Sequence, residues 1–328
     1  MAQPLSLCYA DNLRRNGYGD ASALSASLAE WRRRLQAQRP DLLLVDHAPA
    51  ALLASRDARY PRAASGVGFA LPPLRQPMPS LQPWLPLADT VLAEREQRLL
   101  AAVNPALGRL GLDPLASASD LFDGCRRFLC VVPELDHYED RPDEACYGPL
   151  EDSAEHPALE TSDERAPVFV YLSSSNPMLR PVLEHLVARA QPACIYVRVD
   201  TLDWKPVTAP NLRYLTERID LERLARRCRA AITHGGVGST WIFLRHAVPV
   251  LVCPASLESS LLGYRMQARG LCDSLSLFSR PEQAAGKIDR LLDDPHSVTA
   301  LPAFSQRYAA HRSDEGAARI AAACLDLL

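Results

Sequence analysis

The sequence predicts an α/β protein whose parallel, doubly wound sheets are divided between two domains. Three observations predict it. Over 167–328, short unbroken apolar runs alternate with stretches of helical period, the pattern of strands covered by helices on both faces. The first 132 residues carry a looser version of the same alternation. Between them, 133–166 turns acidic and proline-rich and loses its aliphatics. A chain of 328 residues is long enough for two domains that each bury a core.

In chain order, "DASALSASLAEWRRRLQAQRP" reads as a helix and "DLLLV" (41–45) as a buried strand. "APAALLASRDARY" reads as the next helix, followed by a short "RAASGVGF" segment and a proline-rich stretch over 71–87. A long helix is expected over about 88–110 and a strand at "FLCVV" (128–132). The acidic stretch 133–166 cannot bury enough apolar surface to offset the entropy of ordering, so it is assigned as the linker. Beyond it come a strand at "VFVYL" (168–172), a helix through "PMLRPVLEHLVARA" and strands at "CIYVRV" (194–199) and "LRYL" (212–215). A helix through "DLERLARRC" follows, then a strand at "AAIT" (230–233), a helix from about 239, a strand at "PVLVC" (249–253) and helices over 258–269 and "EQAAGKIDRLLDD". The domains are therefore set at 1–132 and 167–328, the second including the C-terminal helix.

Composition narrows the function classes. The net charge of −3 offers no positive field for a polyanion, which argues against nucleic acid as partner. Nine cysteines lie scattered without a C-x-x-C pair, so they read as reduced thiols, and no metal site is expected. No apolar stretch approaches the ~20 residues of a membrane helix. A cytoplasmic location is the expectation. The arginines at 32–34 read as a solvated helix face.

The segment that carries chemistry is "AAITHGGVGSTWIF" (230–243). In a doubly wound sheet, ligands sit where strands end and helices begin. Glycines 235, 236 and 238 let backbone approach an anion, and the amides of the helix start face it with the positive end of the dipole. The pattern implies a phosphate site. A P-loop needs a Gly-Lys-Ser/Thr that is absent, and the dinucleotide fingerprint needs a glycine where Trp241 stands. His234 and Ser239 remain as side-chain donors, suited to a diphosphate.

"THGGVGSTWIFLRHAVPVLVCPASLESSLLGYRMQARG" resembles the donor-site signature of nucleotide-sugar-dependent glycosyltransferases of the GT-B fold, the group of the UDP-glycosyltransferases and macrolide glycosyltransferases. "PDLLLVDHAPAAL", "GVGFALPP", "FLCVVPELDHY" and "ACYGPL" resemble the later part of that family's acceptor domain and its hinge. The resemblance implies two Rossmann-like domains. It also implies that His234 contacts the donor phosphate while Gly235, Gly236, Gly238, Ser239 and Thr240 form the diphosphate cradle. It places Glu258 on the sugar hydroxyls, with Ser259 where the family has Gln, and turns Ser173 and Ser174 toward the cleft. Asp46 matches the aspartate that in relatives backs a catalytic histidine. His47 follows Asp46, but neighbours on an extended strand point to opposite faces, so it is not assigned as the base.

Set against the family, the chain opens in the middle of the acceptor domain, so the N-terminal sheet is expected to be incomplete. An uncovered sheet edge invites self-association or a partner chain. The expected activity is metal-independent transfer, with inversion, of a sugar from a UDP- or TDP-sugar to a hydroxyl of a small acceptor, with no cofactor. A non-catalytic nucleotide-sugar-binding protein or accessory subunit is the alternative, and a sugar-nucleotide epimerase a third.

Overall fold

The computed structural model describes residues 5–139, 141, 144–150, 167–294, 298–312 and 314–328. The chain divides into two compact units, Met1–Gly148 with Glu315–Leu328, and Pro149–Asp314.

The first unit is built from α1 (Tyr9–Leu13), α2 (Ala21–Gln38), β1 (Leu43–Asp46), α3 (Pro49–Ala54), β2 (Arg62–Gly66), α4 (Asp89–Gly108) and β3 (Cys125–Leu129). Asp20 starts α2 by accepting from the amides of Ser22 and Ala23, the side-chain cap that an N-terminus requires. The arginines of its surface are ion-paired, Arg33 and Arg34 to Glu30 and Arg32 to Asp57, as a solvated face would be. The three strands are parallel in the order β1-β2-β3, with Leu43 opposite Arg62 and Ala63 opposite Arg126. Among the described residues no strand pairs with the outer side of β1, where Leu44 is 44% exposed. The strand expected at 128–132 begins earlier, at Cys125, because Arg126 and Arg127 pair with β2 although they interrupt the apolar run.

The stretch expected to be linker from 133 onward is, up to Gly148, part of this unit. Three of its charges pair within the unit: Arg141 lies 2.6 Å from both Asp136 and Glu144, and Glu144 reaches Arg127 of β3 at 3.3 Å. Tyr147 donates its amide to the Leu129 carbonyl at 2.9 Å and is itself buried. Charged composition predicts a solvated segment only when the charges lack buried partners, and here Arg127 and Arg141 supply them. The rest of the expected linker, 151–166, lies outside the described residues.

The second unit runs β4 (Val168–Ser173), α5 (Leu179–Ala188), β5 (Ala193–Arg198), β6 (Leu212–Tyr214), α6 (Leu221–Ala225), β7 (Ala230–Thr233), α7 (Val237–Arg245), β8 (Val250–Val252), α8 (Leu257–Ala268), β9 (Asp273–Ser274), α9 (Pro281–Asp293) and α10 (Leu301–Tyr308). All neighbouring strands are parallel, in the order β6-β5-β4-β7-β8-β9. The order reverses between β4 and β7, which makes the carboxyl ends of those two strands the switch point of the sheet. The core below it joins Val170, Ile195, Ile232 and Leu251 of the strands to Val182 and Leu186 of α5 and Ile288 of α9, all fully buried. Burying each such side chain contributes about 1.5–3 kcal/mol.

The C-terminal helix, α11 (Glu315–Leu325), groups with the first unit, whereas its place in the sequence predicts the second. Its Ile320 is buried against Ala63, Phe128, Cys130 and Tyr147, and the Arg319 guanidinium lies 4.9 Å from the Tyr147 ring centroid.

Candidate functional site

The loops that leave β4 and β7 meet at the switch point of the second unit. The helix after β7 begins at Val237, two positions before the expected Ser239, with Gly236 as its N-cap. Gly235 turns the chain with φ +86, and an added Cβ there would come 2.7 Å from Val252 Cγ1 and 3.3 Å from Ser259 Cβ. Only glycine meets both requirements. A Cβ on Gly236 would stand 3.0 Å from His234 Nε2, so that glycine leaves room for the ring. Gly238 differs: a Cβ there meets nothing within 4 Å, and the residue is exposed.

The first turn of α7 therefore opens outward. Among the described residues, no hydrogen bond occupies the amides of Val237, Gly238 or Ser239, and no side chain caps the helix. Orphan amides of this kind, at the positive end of a helix dipole, suit an anion. The amide of Gly235 is taken by Thr233 Oγ1 at 3.2 Å, so this residue shapes the turn without offering a donor.

His234 stands beside this opening. Its amide donates to the Tyr171 carbonyl at 3.1 Å and its ring meets the Tyr171 ring edge-on at 4.8 Å. Burial first, then the nearby positive charge of Arg198, hold its pKa below the usual imidazole value, against a hydrogen bond to the Tyr171 backbone. The ring is therefore neutral at neutral pH. Tyr171, Ser173, Arg198, His234 and Ala255 line a small concavity here.

The other residues expected at the donor site differ in what they engage. Thr240 spends its amide on the Gly236 carbonyl at 3.1 Å and is fully buried, because the earlier helix start carries it into the second turn. Ser259 is the third residue of α8 and closes its capping box with Ser256, its Oγ also accepting from the amides of Ala255 and Ser256 at 3.1 Å. Ser174 Oγ bonds Asp200 Oδ1 at 2.8 Å and accepts from the amides of Asp200 and Thr201, tying two loops together. Ser173 lines the concavity, its Oγ 3.1 Å from that of Ser175. Ser239 Oγ lies 3.4 Å from the Gly236 carbonyl at the open turn. Glu258 sits in the first turn of α8, and burial raises its pKa.

Asp46 ends β1 in the first unit with an exposed side chain. The residue after it, His47, has φ +42, so the alternation of an extended strand, which set it aside as a base, does not extend to it. Its ring lies 6.1 Å from Tyr9, and burial lowers its basicity against the opposing charge of Asp46.

Sequence reasoning missed Arg198 and Tyr171. The signal for both was the strand ends: Arg198 lies in register with Ser173, one strand from the turn. Among the described residues there is no group of three or more His, Cys, Asp or Glu that could hold a metal ion, and no helix long and apolar enough to cross a membrane.

No protein-family model matches the chain, and no curated protein matches it. Solved structures do. The chain is similar to the glycosyltransferase VinC in complex with dTDP at 15% identity and TM-score 0.64, over 92% of this chain and 75% of that one. It is similar to the spinosyn rhamnosyltransferase SpnG complexed with thymidine diphosphate at 22% identity and TM-score 0.62, over 92% and 81%. The glycosyltransferase SnogD from Streptomyces nogalater follows at 19% identity and TM-score 0.58, over 92% and 78%. With its two parallel-sheet units, the chain has the GT-B-like α/β fold of these structures.

Proposed function

We propose that the protein binds a nucleoside-diphosphate sugar and transfers the sugar to a hydroxyl group of a small acceptor without a metal. The observation that carries this reading is the first turn of α7, whose amides no described residue caps, with the half-buried His234 beside it at the switch point of the sheet. Amides at a helix start and an imidazole N–H stabilise the charge that develops on a departing diphosphate. In the transfer, the acceptor oxygen bonds to the anomeric carbon, the bond from that carbon to the phosphate oxygen breaks, and the acceptor proton leaves to a base. Asp46 is the carboxylate proposed to support that base, and Glu258 the one proposed to accept from sugar hydroxyls. VinC and SpnG were solved with thymidine diphosphate, which makes TDP the first nucleotide to test.

Calorimetry of the purified chain with TDP and UDP tests this reading. Binding is expected, with His234→Ala weakening it about tenfold, the equivalent of one charge-assisted hydrogen bond. A folded sample that gives no heat with either nucleotide refutes it. One observation favours binding without turnover as a second reading: Ser259, at the family's sugar-reading position, is turned into a helix cap. Release of TDP from a TDP-sugar in the presence of acceptor separates the two.

A further inference from the structure

The α7 amides and a neutral His234 carry no full charge, yet a diphosphate arrives with two or more negative charges. Of the five residues lining the concavity, Arg198 alone carries a full positive charge. Its position is fixed by the sheet. Arg198 ends β5 opposite Ser173 of β4, and its carbonyl accepts from the Ser174 amide at 2.9 Å, which holds the residue at the switch point. The side chain is 63% exposed. Among the described residues, the carboxylate within ion-pair reach is Asp200, 3.7 Å away and beyond hydrogen-bond distance.

Asp200 is committed elsewhere. Its Oδ1 accepts from Ser174 Oγ at 2.8 Å and from the Ser175 amide at 2.9 Å, and its Oδ2 accepts from Ser175 Oγ at 2.8 Å. These bonds hold the carboxylate against the β4–α5 loop, and the exposed guanidinium makes no hydrogen bond to it at 3.7 Å. A guanidinium pairs phosphate oxygens through two parallel N–H donors, which a lone ammonium cannot do.

We infer that Arg198 is a binding residue for the outer phosphate of the diphosphate and sets the protein's preference for nucleoside diphosphates over monophosphates. The inference rests on the nucleotide-sugar reading of the same site. It assigns the amides and His234 to phosphate in general and Arg198 to the added charge of the second phosphate. The same charge, second to burial, lowers the pKa of His234.

The test is calorimetry on the full chain with TDP and with TMP, for the unaltered protein, Arg198→Ala and Arg198→Lys. Arg198→Ala is expected to lose about tenfold in TDP affinity and less than about threefold in TMP affinity, with Arg198→Lys between them. Unchanged TDP affinity in Arg198→Ala overturns the inference, as does an equal loss on both nucleotides. An unaltered protein that binds neither nucleotide refutes the nucleotide-sugar reading itself, and this inference with it.

Discussion

At the residue scale, the three glycines of the β7–α7 turn are not equivalent, and the difference separates fold from function. Gly235 is held by its positive φ and by Val252 and Ser259, so Gly235→Ala is expected to cost about 1–3 kcal/mol in chemical denaturation. A Cβ on Gly238 would meet nothing within 4 Å, and the residue lies in the first turn of a helix. There Gly238→Ala is expected to leave stability unchanged or raise it by up to about 1 kcal/mol, since alanine is the better helix former. If the open space above it belongs to a ligand's phosphate, the same variant weakens TDP binding. A Gly238→Ala protein with unaltered stability and unaltered TDP affinity would show that the space is merely solvent. The glycines themselves were legible in the sequence because the residue type and the helix entry state their own reason. The burial of Thr240 and the capping box of Ser259 were not legible, because a two-position shift in helix start, or one Ser-x-x-Ser cap, redirects a side chain without altering the motif. Arg198 was hidden for another reason: its relevance comes from register with Ser173, and register between parallel strands cannot be read along the chain.

At the element scale, α11 shows the limit of periodicity. An amphipathic stripe announces that a helix packs on something, but not on what. The stripe of α11 meets Ala63, Phe128 and Tyr147 of the first unit, far from it in sequence. Ile320→Asp is therefore expected to destabilise that unit by about 2–4 kcal/mol through an unpaired buried carboxylate. TDP affinity should be retained, because the proposed nucleotide site is built from the second unit alone. A variant that loses TDP binding while the first unit melts normally would contradict this assignment of the helix. Strands were legible where aliphatics cluster, as in β4, β7 and β8. They were not legible at β2, "RAASG", whose small residues give no apolar run, nor at β9, which spans two residues.

At the scale of the whole molecule, the segment 133–148 brings a titratable group into the interior. His137 is fully buried, and burial first, with the Arg141 charge second, takes its pKa down to about 3. An unfolded chain binds that proton near pH 6.5, so the unfolded state gains protons first as the pH falls. The stability contributed by neutral His137 is complete above about pH 6.5 and is lost progressively toward pH 3. The melting temperature is expected to drop between pH 7 and pH 5, and a His137→Asn variant, even if less stable at pH 7, should show a flatter slope. Equal slopes in the two proteins would mean that other groups govern the acid response.

The division of the chain has a consequence for the closure of its outer unit. Because Glu315–Leu328 groups with Met1–Gly148, the whole of Pro149–Asp314 is inserted between two parts of its neighbour along the polypeptide. The contacts of α11 with the first unit therefore span the full length of the inserted unit, so the outer unit bears a loop-closure entropy that the inserted one, continuous in sequence, does not.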